Sequence, residues 1–177
     1  MRDDELHNML TYIVDTTQNK VEVVENSIQL FEANSFSVVE VNIEKPWGAY
    51  IRLNNRDAER YMDTFFPELE HEIVGELSPK ILIVEPGKRL SWQYHHRRAE
   101  SWLFVTGGYY YQSDTDELGD KKSATAGDSV QFQQGERHRL VGGDTQMTVV
   151  AEIWQHTDPN ALSDEDDIVR VQDDFNR

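Results

Sequence analysis

The 177-residue chain contains no cysteine. Disulfide frameworks and thiolate chemistry are therefore excluded, and a cytoplasmic location is the simplest expectation. No apolar run approaches the ~20 residues needed to span a bilayer. The start, Met1-Arg-Asp-Asp-Glu-Leu6, has neither the basic n-region nor the apolar h-region of a secretory signal. Basic residues are scarce, with 17 Lys and Arg against 33 Asp and Glu and a formal net charge of −16. A surface this acidic repels polyanions, so neither nucleic acid nor an anionic membrane is an expected partner. No internal repeat or low-complexity tract is present. The length fits one domain with a small extension.

The few basic residues are unevenly placed. Lys88, Arg89, Arg97, Arg98, Arg137 and Arg139 are six of the 17, and all lie in or beside two segments, residues 87–100 and 127–138. The same segments hold the candidate metal ligands. Gln93 and His95 are two apart, so on a β-strand they share a face. Glu100 follows a short Arg-rich turn and can return to that face from the next strand. His138 lies downstream. Two imidazole nitrogens, a carboxylate oxygen and an amide oxygen form an open site for a divalent metal. Gln93 either ligates or supports a ligand by hydrogen bonding. His96 faces away from His95 on a regular strand. The clustered Arg and Lys side chains are expected to receive an anion; the alternative is that they balance an acidic surface.

Periodicity separates a β-rich centre from different ends. Residues 1–20 read as polar and partly frayed. Residues 21–33 have helical apolar spacing. Residues 35–42 and 49–53 read as strands around the turn Lys45-Pro-Trp-Gly48, and 56–66 as a short helix or insertion stopped by Pro67. Short strands follow at 81–84, 90–95, 101–105, 109–112, 122–124, 129–133, 138–141 and 147–154, separated by Gly- and Asp-containing turns. Such spacing argues for a sandwich or barrel. Ser163 and Asp166 read as a capping box.

The spacing Gly87-x5-Gln93-x-His95-x4-Glu100-x6-Gly107, then Gly127-x7-Gly135-x2-His138, resembles the two motifs of the cupin superfamily. Gln93 at the usual first His narrows the likeness. Together with Lys45-Pro-Trp-Gly48-x-Tyr50, His96-Arg-Arg-Ala-Glu100-x-Trp102, Arg137-His138-Arg139-Leu140 and Glu165-Asp-Asp-Ile-Val-Arg170, it resembles the isomerase domain of type II mannose-6-phosphate isomerases, over roughly residues 44–177. In that family the domain often follows a GDP-mannose pyrophosphorylase domain, for which 177 residues leave no room. Arg97, Ser101 and Gln133 depart from the family's usual His, His and Pro, and the first two are expected to tune substrate or affinity. The segment 54–79 is an insertion without an assigned role.

The resemblance implies an all-β cupin, a double-stranded β-helix or jelly-roll barrel with short helical or irregular ends. The expected division is an N-terminal extension with a short helix at 1–34 and a single cupin domain at 35–177. A divalent metal, zinc first, is expected on Gln93, His95, Glu100 and His138. The implied reaction is the metal-dependent interconversion of mannose 6-phosphate and fructose 6-phosphate. Arg98, Arg139, Arg170 and Lys45 are the candidates for the phosphate. Trp102 is either a sugar-stacking wall or core packing. No proton-transfer base is identified, although the acidic tail offers carboxylates. A homodimer is expected, because the strands at 35–53 leave an edge in need of a partner. The alternatives are a non-catalytic metal cupin that binds a sugar phosphate or nucleotide sugar, and an Fe²⁺ cupin oxygenase.

Overall fold

In the computed structural model, which describes residues 3–17, 19–70 and 73–175, two antiparallel sheets face each other. The first has six strands: β1 (Val38–Lys45), β2 (Gly48–Leu53), β3 (Lys80–Val84), β10 (Thr148–His156), β5 (Arg98–Phe104) and β8 (Ser129–Phe132), in that spatial order. The second runs β11 (Val169–Gln172), β4 (Trp92–Tyr94), β9 (Arg137–Val141), β6 (Gly108–Ser113) and β7 (Lys122–Ala124). The chain is a cupin barrel, as its motif spacing implies. The tight β1–β2 turn requires Gly48, where φ is +151° and an added Cβ would lie 2.0 Å from the Ile83 carbonyl oxygen. That close approach seats the neighbouring Trp47 over the barrel interior, where it is buried with Leu82 and Trp102.

Two cores flank the six-stranded sheet. On β3 every residue is buried because the strand is covered on both sides. Leu82 and Val84 join Trp102, Phe104, Phe132, Leu140 and Val150 inside the barrel. Ile81 and Ile83 point the other way, with Ile51, Val149, Ala151 and Ile153, into a helical layer. That layer consists of α1 (Asp3–Thr16), α2 (Lys20–Ala33) and α3 (Ala58–Phe65).

The helical layer corrects the sequence reading at the N-terminus. Residues 3–16 form a full helix, whose Leu6, Leu10 and Val14 repeat every fourth position and are buried. The polar composition hides that single stripe, which is enough once other helices cover it. Met1, Arg2 and Gln18 lie outside the described residues. Helix α2 begins where the Asn19 side chain accepts from the Val21 and Glu22 amides. The inserted segment supplies a 3-10 turn at Asn55–Asp57 and then α3, which buries Ala58, Tyr61, Met62 and Phe65 against the sheet. No helix starts at Ser163. Its hydroxyl instead donates to the Asp167 carboxylate at 2.7 Å and accepts from Arg98 at 3.0 Å.

Candidate metal centre and cleft

His95, at the end of β4, Glu100 on β5 and His138 on β9 converge at one end of the barrel interior. Their ligand atoms all lie within 4.8 Å of one another, and each residue is at most 2 % exposed. His95 Nε2 is 3.1 Å from Glu100 Oε1, and His138 Nε2 is 3.2 Å from Glu100 Oε2. Both imidazoles are fixed from behind. His95 Nδ1 meets the Asp167 carbonyl at 2.5 Å, and His138 Nδ1 meets the Glu136 carbonyl at 3.0 Å. A carbonyl can only accept, so each Nδ1 carries the proton and each Nε2 presents a lone pair. This is how metal-binding imidazoles are held.

Protonation states agree with that geometry. Burial lowers the His95 pKa and favours the neutral ring. Burial opposes ionisation of Glu100, yet its pKa is held well below the usual carboxylate range. What holds it there is first the facing His95 ring and then the Arg98 guanidinium, whose Nε donates to Glu100 Oε1 at 2.9 Å. Glu100 Oε2 and His138 Nε2 are buried with no hydrogen-bond partner among the described residues. Two imidazoles fixed through Nδ1, a carboxylate and buried ligand atoms without partners are what a divalent cation needs. Gln93 stands in register with His138 and lines the adjoining cleft, and its Oε1 accepts from the Ser91 hydroxyl at 2.5 Å. His96 is exposed.

The cleft above these residues is lined by Lys45, Tyr50, Lys80, Arg98, Glu152 and Arg170, among others. Three of the four predicted phosphate candidates are thus there, but Arg98 is heavily engaged. Beyond Glu100, its Nη1 donates to Ser163 Oγ and the Asp164 and Asp167 carbonyls, and its guanidinium stacks 3.8 Å from the Trp154 ring centroid. Arg139 is not on the cleft: strand alternation turns it away from His138, and it donates to the Gln172 carbonyl at 3.1 Å. Trp102 is packed in the barrel core, edge-on to Phe132, with its Nε1 donating to Glu152 at 3.0 Å, so it forms no open stacking wall. Of the six clustered basic residues only Arg98 lines the cleft. Arg89, Arg97 and Arg137 pair with Asp174, Asp164 and Asp116, so for these the surface-balancing alternative holds. Arg97 also donates to the Leu162 carbonyl, and Ser101 lies on the far face of β5, so neither departure from the family motif touches the cleft.

Several residues escaped the sequence reading. Asp167, in the tail motif, accepts from the His96 and Arg97 amides at 2.9 Å and thereby pins the β4–β5 turn. Glu152 lies in register with Trp102 on β5 and Lys80 on β3. Burial, together with the Glu100 carboxylate, pushes its pKa up to about 7. The insertion supports it from below: the Tyr61 hydroxyl donates to the Lys80 carbonyl at 2.6 Å and accepts from the Glu152 amide at 3.1 Å. A lone acid inside the apolar run Thr148-Val-Val-Ala-Glu-Ile-Trp154 was the available signal.

A two-sheet barrel with a His-Glu-His cluster that could hold a metal ion defines a protein of the cupin type. Residues 70–173 match the family described as mannose-6-phosphate isomerase C-terminal, and the chain belongs to it. It is 26% identical over 163 residues to the alginate biosynthesis protein AlgA of Pseudomonas aeruginosa, and 27% over 162 residues to a mannose-1-phosphate guanylyltransferase of Escherichia coli K12. Each match covers 90% of this chain and 28% of the relative, so the chain spans under a third of their length. Among solved structures, oxalate decarboxylase of Bacillus subtilis aligns over 74% of this chain and 29% of its own, with TM-score 0.50 and 14% identity, a likeness of fold alone. Among the described residues no helix is long and apolar enough to cross a membrane.

Proposed function

We propose that the chain is a metal-dependent aldose–ketose isomerase of a phosphosugar, first of mannose 6-phosphate and fructose 6-phosphate, with zinc on His95, Glu100, His138 and the Gln93 amide oxygen. The observation that carries this reading is the buried His-Glu-His cluster opening onto a cleft that Lys45 and Arg170 also line. The donor set of nitrogen and oxygen atoms suits zinc. A bound divalent ion supplies Lewis acidity for a carbonyl and its neighbouring hydroxyl. The chain's own residues do the rest. Arg98 keeps Glu100 ionised and in place. Lys45 and Arg170 stand at the cleft, and Arg170 is exposed there to meet a phosphate.

A non-catalytic phosphosugar-binding cupin is the second reading. It is favoured by the engagement of Arg98 with protein partners and by the Lys80–Glu165 ion pair at 2.6 Å, both of which withhold cations from the cleft. Zinc-loaded protein should interconvert the two phosphosugars and bind mannose 6-phosphate far more tightly than mannose. Arg170→Ala should weaken phosphosugar binding by about 1.5–3 kcal/mol, roughly ten- to a hundredfold. Binding without turnover would select the second reading, and equal affinity for mannose with and without phosphate would overturn both. A homodimer belongs to the same proposal. β1 is an outer strand of its sheet and exposes Val39 and Val41. A monomeric mass by light scattering at micromolar concentration refutes it.

A further inference from the structure

An aldose–ketose isomerase must move one proton between C2 and C1, and the metal cluster contains no group left over for the task. Glu100 is engaged by His95, His138 and Arg98. The other ionisable groups on the cleft are mostly committed too. Tyr50 donates to Glu40, and with burial this pushes its pKa to about 12. Lys80 is ion-paired with Glu165, whose carboxylate is 60% exposed and therefore points largely to solvent. Glu152 differs from all of these. It is 7% exposed, projects from β10 onto the same cleft as Glu100, and accepts a hydrogen bond from Trp102 Nε1 into Oε2. The indole is itself locked in the barrel core against Phe132 and His138, so the carboxylate is aimed rather than free to rotate. The backbone beneath it is fixed by Tyr61. A buried acid held this rigidly adds nothing to folding that an apolar residue would not supply better, which points to a chemical role.

We propose that Glu152 is the proton carrier of the isomerisation, an inference that rests on the isomerase reading above. Its carboxylate takes the C2 proton of the aldose. The C2–H electron pair becomes the C1=C2 bond, and the C1 carbonyl pair moves onto O1. The carboxyl then delivers that proton, or one exchanged for it with solvent, to C1 as the C2 carbonyl forms, and the hydroxyl proton passes from O2 to O1. C2 is oxidised and C1 reduced within one molecule, so no co-reactant is consumed and Glu152 ends as it began.

The test compares metal-loaded wild type, Glu152→Gln and Glu152→Asp in four measurements: metal content, mannose 6-phosphate affinity, isomerisation rate, and deuterium incorporation at C1 and C2 in D2O. Glu152→Gln should keep its metal and bind the phosphosugar within about threefold. Its turnover and deuterium incorporation should both fall by about 10²–10⁴-fold, the usual weight of a general base. Glu152→Asp, which keeps the acid but shortens it, should recover part of both. An active wild type with a Glu152→Gln variant within tenfold of it overturns this inference and leaves the isomerase reading intact. Loss of metal or of phosphosugar affinity in step with the rate makes Glu152 structural and overturns it too. A wild type that neither turns over nor exchanges deuterium overturns both.

Discussion

Along β3 and β10 alternate side chains enter two different environments. Ile81, Ile83, Val149, Ala151 and Ile153 meet the helices, and that core is apolar throughout. On the other face the same strands carry Val84 and Val150 at one end and Lys80 and Glu152 at the other. The register places Lys80 opposite Glu152 and Glu100 opposite Trp154, so the change from hydrocarbon to charge takes place within a few residues. Burying ionised groups opposes folding unless they are paired. The outer face therefore serves stability, and the polar end of the inner face carries the proposed site.

The sharpest way to break this division is to delete a ligand. His95→Ala and His138→Ala should each weaken metal binding by more than about a hundredfold, beyond what loss of an outer partner causes. His96→Ala, on the exposed side, should leave it unchanged. Metal content measured on the three variants decides the matter. On the apolar face Ile153→Ala should destabilise the protein by about 2–4 kcal/mol in denaturant titration while metal stoichiometry stays the same. An outer-face variant that loses metal without unfolding would erase the distinction.

A smaller effect of opposite sign is expected at Glu152. Its carboxyl titrates near 4.5 in the unfolded chain and at about 7 in the fold, so ionisation is opposed only in the folded state. Stability is therefore lost as pH rises from about 4.5 to about 7. Glu152→Gln removes that loss and should stabilise chelator-treated protein by about 1–3 kcal/mol at pH 8, with the gain vanishing near pH 4. Equal melting temperatures at pH 8 would refute it. The smallest effect concerns Asp167. Its hydrogen bonds to Ser163 and to the His96 and Arg97 amides hold its pKa below the ordinary 3.8. Its contribution is full above pH 3.8 and lost as pH falls through the lowered value. Asp167→Asn should cost about 1–2 kcal/mol at neutral pH, a difference that closes on acidification.

The same contrast explains what could be read from the sequence. Short apolar or mixed runs bounded by Gly- and Asp-containing turns located β3, β5, β9 and β10. Motif spacing brought His95, Glu100 and His138 together, and parity placed His96 outside, whereas Arg139, expected at the phosphate, is turned away from the cleft by the same alternation. Helix α1 was hidden because its stripe is one residue wide. Asp167 and Tyr61 act on residues about 70 to 91 positions away, through contacts that no local pattern encodes. Arg98 was recognised as a charge near the site, but its role as the partner of Glu100 required the fold.

The central claim is that the inner face ends in a metal centre built from neutral imidazoles and an ionised carboxylate. Zinc titrated into chelator-treated wild type by calorimetry tests it directly. The account predicts one ion per chain at pH 7.5, with affinity falling on acidification as protons compete for the ligand atoms. Absence of saturable binding, or an affinity flat from neutral pH down to about pH 4, would contradict it.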